Sequence, residues 1–214
     1  CFMRCLLILL CSVVFVTSAY AQDSQNVQDT DGGVLINGVC WAATNVDEPG
    51  TFAGRPDEVG MLYQWGEKIG WSATVPMVSY PVGAKWDDAG SPTAAWLDMS
   101  DPCPEGWRVP TVEEWKSLCD ESKVYSEWVK EGNSQGRRFT DRSSDASIFV
   151  PAAGFRDYHD GTLFSVSSVA RYWSSTPVSS TAIRAYSLTF NDANMKPARP
   201  RYSGNAFSIR CVRR

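Results

Sequence analysis

A single histidine occurs in 214 residues, and no Cys-x-x-C pair is present. The scarcity of imidazole removes most metallohydrolase and Ser-His-Asp readings. Without a Cys-x-x-C pair, a structural zinc site has no local foundation. Basic charge is not in excess either, because the formal net charge is −4. That gives no general electrostatic reason to bind nucleic acid or an anionic membrane, although a local basic patch is not excluded. Long apolar runs are missing too. The longest spans residues 6–16, short of the roughly 20 residues that a membrane-spanning helix needs.

The short apolar run has a different reading. It follows Arg4 and ends in Thr17, Ser18 and Ala19-Tyr20-Ala21. A basic start, an apolar stretch and a small-x-small site are the parts of a secretory signal, so residues 1–21 are expected to be cleaved after Ala21. Residues 22–33 are polar and read as a flexible leader. The rest, 34–214, suits one domain. Its aromatic and turn-forming content fits a loop-rich chain better than a helical bundle.

Of the seven cysteines, Cys40, Cys103, Cys119 and Cys211 lie beyond the signal. An even number in an exported chain points to disulfides, and spacing does not choose among the three pairings. A secreted, periplasmic or cell-surface protein follows.

Alternation predicts a first strand over 34–41. Residues 45–55 form a loop, and 58–65 fit a short helix or a strand equally well. The stretch 66–95 reads as long and irregular, anchored by Trp71 and Trp86. Thr111 with Glu114 forms a capping box ahead of a helix whose apolar face carries Val112, Trp115 and Leu118. A second short helix is expected over 125–130, and 134–144 is expected to be polar and exposed. Strands follow at 148–155, 162–166, 172–175, 185–190 and 206–212, with a turn at Asp160-Gly161. Tyr186, Leu188 and Phe190 alternate with Ser187, Thr189 and Asn191, which predicts one inward and one displayed set. Helices early and strands late argue for α+β.

An ordered set of motifs is more specific. It includes Cys40-Trp41-Ala42, Pro49-Gly50-Thr51-Phe52 and the run from Cys103-Pro104-Glu105-Gly106-Trp107 through Arg108-Val109-Pro110-Thr111 to Glu114-Trp115. Later come Pro151-Ala152-Ala153-Gly154-Phe155-Arg156, Tyr172-Trp173-Ser174-Ser175-Thr176 and Ser208-Ile209-Arg210-Cys211-Val212. With these the chain resembles the Fibrobacter succinogenes major paralogous domain family. The resemblance implies a C-type-lectin-like fold: a mixed antiparallel sheet, two short helices and long irregular loops. It also implies a Cys103–Cys211 bridge, leaving Cys40 and Cys119 to pair with each other or stay reduced. Variable proteins of diversity-generating retroelements share that fold. The positions matching their variable ones include Ile183, Arg184, Ser187, Thr189, Asn191, Asn194, Lys196, Arg199, Arg201 and Asn205.

Candidate chemistry is sparse. The Glu-Pro-Asn or Gln-Pro-Asp and Trp-Asn-Asp sequences of calcium-dependent lectins are missing, so neither a metal nor another cofactor is expected. Formylglycine-generating enzymes use two close cysteines in a late segment, where only Cys211 stands. His159 lies in Asp157-Tyr158-His159-Asp160-Gly161, which reads as an exposed turn. Glu113 and Glu114 are adjacent and so point apart on a helix. Trp41, Trp65, Trp107, Trp115 and Trp173 read as core, while Trp71, Trp86 and Trp96 are the candidates for stacking on sugars. Arg199, Arg201 and Tyr202, stiffened by Pro197 and Pro200, form the mixture typical of protein-binding hot spots. The expectation is a non-catalytic binding module, with a protein ligand favoured over a glycan. An oxidoreductase of the formylglycine-generating type, or a subunit of a surface appendage, are the alternatives.

Overall fold

In the computed structural model, which describes residues 32–90, 95–180 and 183–214, order begins with a hairpin. Strands β1 (Gly33–Ile36) and β2 (Val39–Ala42) pair antiparallel, with Ile36 opposite Val39. Asn37 and Gly38 between them have φ of 45° and 79°. Two left-handed residues make the tight turn whose twist matches that of the flanking strands. The single strand expected over 34–41 is therefore two, divided at Asn37-Gly38. The expected signal at 1–21 lies outside the described residues, as does the leader up to residue 31.

Strands β3 (Met61–Gln64), β4 (Gly70–Ser72) and β5 (Ser79–Tyr80) follow. The first of these settles 58–65 as a strand. Trp71 is buried and packs edge-on against Trp86 at 5.0 Å, which anchors the long excursion as expected. Buried Arg156 adds a tie, donating to the carbonyl oxygens of Ser72 and Thr74. After β6 (Trp107–Arg108) comes α1 (Val112–Leu118), the one α-helix among the described residues. Its capping box forms in both directions between Thr111 and Glu114, and Val112, Trp115 and Leu118 are buried.

The second expected helix does not form. Residues 125–130 belong to β7 (Val124–Glu131), which pairs along its whole length with β8 (Ser134–Asp141). Valine, tyrosine and tryptophan suit a pleated surface, and the segment lacks the capping signals that α1 has. Val124 and Trp128 share one face and pack on the main core. The 134–144 stretch is accordingly not a polar surface segment: Phe139 in β8 is fully buried. Strand β9 (Ser147–Pro151) completes this sheet.

A short hairpin of β10 (Phe155–Arg156) and β11 (Leu163–Phe164) turns through Asp160-Gly161 as expected. Then come β12 (Ala170–Pro177), β13 (Arg184–Phe190) and β14 (Met195–Tyr202). The final strand expected over 206–212 is broken. Its start, β15 (Ala206–Phe207), pairs with β3 and β10, while β16 (Val212–Arg213) pairs with β2 and β6.

Among the described residues four sheets result, ordered β1-β2-β16-β6, β11-β10-β15-β3-β4-β5, β12-β13-β14 and β7-β8-β9. This corrects the α+β expectation. The molecule is strand-dominated, with several antiparallel sheets and one seven-residue α-helix, and it does not show the two-helix C-type-lectin-like arrangement. The helical share of that expectation rested on the capped helix, on 125–130 and on the resemblance; the first forms as α1, and cross-strand pairing claims the second. The main core joins Trp41, Trp115, Phe139, Tyr172, Leu188 and Phe190. Cys103 and Cys211 are bonded across 108 residues, whereas Cys40 and Cys119 are free thiols and do not pair.

Candidate functional site

The sheet β12-β13-β14 has two differently used faces. Tyr172, Leu188 and Phe190 point to one side, where Trp115 of α1 meets them. The register defines the other side. Arg171 lies opposite Thr189 and Trp173 opposite Ser187, while Arg199 faces Ser187, Arg201 faces Ala185 and Lys196 faces Thr189. Residues paired directly across strands share a face. Part of this second face is itself covered: Trp173 stacks on Phe207 at 4.1 Å, and Trp65 and Ala185 join the same cluster. Beside the covered part stand three arginines.

Arg171 lies over an aromatic floor, its guanidinium carbon 3.4 Å from the Phe155 ring centre and 5.5 Å from that of Phe207. Phe155 stacks in turn on Phe164 at 5.7 Å, and Phe164 is 46% exposed. Burial pushes the Arg171 guanidinium down to about 9. Arg201 and Arg199 push in the same direction, and the one opposing charge is Asp157. Arg201 is also lowered, by burial first and then by Arg199. The Nε atoms of Arg171 and Arg201 are buried without a hydrogen-bond partner. No ion pair between described residues includes Arg171, Arg199 or Arg201. Desolvated like charges held together without a counter-charge are unfavourable, and an anion placed among them relieves that cost.

The expected ligand-facing residues divide. Ile183, Arg184, Asn194, Lys196 and Arg199 are exposed. Arg201, Thr189 and Tyr202 are half-buried. Ser187 is fully buried and donates to the Arg199 carbonyl, so it is not displayed. Asn205 is buried too, its amide donating to the Tyr202 carbonyl at 2.9 Å. Asn191 Oδ1 accepts from the backbone of Ala193 and Asn194 and shapes the β13–β14 turn. Tyr202 braces the middle excursion, its hydroxyl donating to the carbonyls of Asp88 and Ala89 and its ring edge-on to Tyr158. The inward and displayed sets are thus not cleanly separated by alternation. Ala185 and Ser187 are buried on the second face, while Tyr186, expected inward, is half-buried.

Arg171 was not among the expected residues. Its only local signal is the period-two position beside Tyr172; the pairing with β13 and β14 puts it on the face that carries Lys196, Arg199 and Arg201. The three candidate sugar platforms do not assemble. Trp71 is core, Trp86 donates to the Tyr158 carbonyl, and Trp96 packs edge-on to Trp65 at 5.7 Å. His159 sits exposed in its turn, its backbone amide bonded to Asp157. Burial of the Cys119 thiol pushes it up to about 12. Among the described residues no group of three or more His, Cys, Asp or Glu is placed to hold a metal ion, and no helix is long and apolar enough to cross a membrane.

A family model described as the Fibrobacter succinogenes major domain matches residues 34–213. No curated protein and no solved structure matches the chain.

Proposed function

We infer that the chain, which belongs to the Fibrobacter succinogenes major domain family, works as a secreted or surface-exposed binding module holding a protein ligand on the outer face of β12-β13-β14. The observation that carries this reading is the pair of partly desolvated guanidinium groups of Arg171 and Arg201, with the exposed Arg199 on the same face and none of the three in an ion pair between described residues, beside the Phe155–Phe164 stack. Arginine with aromatic carbon is the composition of energetic centres in protein interfaces. The Cys103–Cys211 bond fits an oxidising compartment such as the periplasm or the cell exterior.

The module is non-catalytic in this reading. Support comes from the late segment, where a formylglycine-generating enzyme would need two close cysteines: Cys211 stands alone there and is spent in the bridge. A protein ligand is favoured over a glycan because the tryptophans that could stack on sugars are engaged within the fold.

The test is a surface-plasmon-resonance screen of immobilised extracellular protein domains, run with the wild type and with an Arg199→Ala/Arg201→Ala variant. Any domain bound by the wild type should lose at least about tenfold in affinity with the variant, as loss of a central arginine typically costs over about 1 kcal/mol. The variant's melting temperature should stay close to that of the wild type. Equal binding by both proteins would move the ligand site off this face.

A further inference from the structure

We propose that Arg171, Arg199 and Arg201 form a carboxylate subsite, which takes an acidic group from a short segment of the protein ligand. This deepens the binding reading above and rests on it. Arg199 and Arg201 stand two apart on β14, facing Ser187 and Ala185, and Arg171 reaches the same face from β12 across β13. Arg199 and Arg201 lie within electrostatic reach of Arg171, and no ion pair between described residues includes any of the three. A guanidinium fork matches a carboxylate in shape, with two parallel N–H···O bonds. The ring of Phe155 supports the Arg171 guanidinium, and the half-exposed Phe164 beside it offers apolar surface for the methylenes that carry a ligand's acid.

Two features favour a short acidic peptide over a long polyanion. The whole chain carries a formal net charge of −4, so it has no general positive field to hold an extended sulfated glycan or nucleic acid. Asp157, within electrostatic reach of Arg171, sets a limit on that side. The peptide is also not expected to extend the sheet. Pro197 and Pro200 remove two amide donors from β14, the outer strand, so recognition runs through side chains.

The experiment titrates the full chain by calorimetry with an end-capped hexapeptide carrying two adjacent glutamates, and with its glutamine counterpart. An uncapped glycine peptide tests a C-terminal carboxylate, and a heparin tetrasaccharide tests a sulfated glycan. The capped glutamate peptide should bind and the glutamine peptide should not. Arg199→Gln, at an exposed position, should weaken binding by about three- to tenfold, and Arg171→Gln/Arg201→Gln by more than about tenfold. Binding of the uncapped glycine peptide with the same dependence on Arg199 would also support the subsite, and would assign it to a chain terminus. Glutamate-peptide binding unchanged by Arg199→Gln would overturn the proposal. So would Arg199-dependent binding of the tetrasaccharide alone. Silence from every probe would sink the carboxylate subsite too, while the domain screen decides separately whether this face binds protein.

Discussion

Arg210 is completely buried, and its guanidinium donates to Asn45 Oδ1, the Ala42 carbonyl and the Phe149 carbonyl at 2.9, 3.1 and 2.9 Å. Among the described residues no carboxylate is paired with it, and burial pushes it down to about 10. A delocalised, weakly hydrated cation tolerates such a place because its five donors reach several carbonyls at once. Arg210 is thus a strut joining β2, β9 and the link into β16, in contrast to the displayed arginines. Asp141 has a comparable local role with an acid's sign. Its carboxylate accepts from the Ser143 hydroxyl and amide, the Ser144 amide and the Asn37 amide, which ties the first hairpin to the end of β8. The Ser143 hydroxyl and then the Asn37 amide hold it far below its ordinary 3.8. A depressed acid contributes stability that is complete above its unfolded pKa and is lost as pH falls through the folded value. The melting-temperature gap between the wild type and Asp141→Asn should therefore be full at pH 6 and narrow steadily from about pH 4 to pH 2. A gap independent of pH over that range would show that the charge is not what matters.

Among the elements, α1 is the one whose stability is set by its own few residues. Thr111 Oγ1 accepts from the Glu114 amide while Glu114 returns to the Thr111 amide, and Arg108 grips the same carboxylate at 2.6 and 2.9 Å. Replacing Thr111 by Ala should cost about 1 kcal/mol in urea unfolding, within the usual range for a lost cap. A loss below about 0.3 kcal/mol would mean that packing of Trp115 against Trp41 and Tyr172 holds the helix without its cap. This element was legible from sequence because both bonds join residues three apart. Strand β7 was not. A period near 3.6 and a period of two are hard to tell apart over six residues, and β7 is decided by eight cross-strand partners on β8. The face of β13 failed for a related reason. Alternation identifies two sets but not what covers the second, and Trp65, Trp173 and Phe207 bury Ala185 there. A register shift in β14 between the partners of Ser187 and Thr189 then decides which arginine meets which neighbour.

For the whole molecule, the Cys103–Cys211 bond ties the segment before β6 to the segment before β16, the strand that joins β2 to β6. It closes a loop of 108 residues, which contains α1 and the sheet carrying the arginine cluster. In the chain-entropy account a loop of about 100 residues is worth about 4.7 kcal/mol, with measured values often smaller. The Cys103→Ser/Cys211→Ser variant should lose roughly 2–5 kcal/mol in denaturant unfolding. Arg199-dependent binding should survive in whatever fraction remains folded, since the arginines are positioned by β12, β13 and β14 rather than by the bridge. Unchanged stability would show that the bond leaves the unfolded chain's freedom intact.

The amino-acid sequence alone determined the features whose causes lie within a few residues, the capped helix and the Asp160-Gly161 turn. Family membership was legible as well, because it rests on the order of motifs along the chain. Only the tertiary structure decided that residues 125–130 are a strand, that the last strand breaks between β15 and β16, and that Ser187 and Asn205 lie inside while Arg171 joins Arg199 and Arg201. Each of those outcomes depends on partners far along the chain. Cross-strand register and the covering of a sheet's second face exist only once distant segments have met.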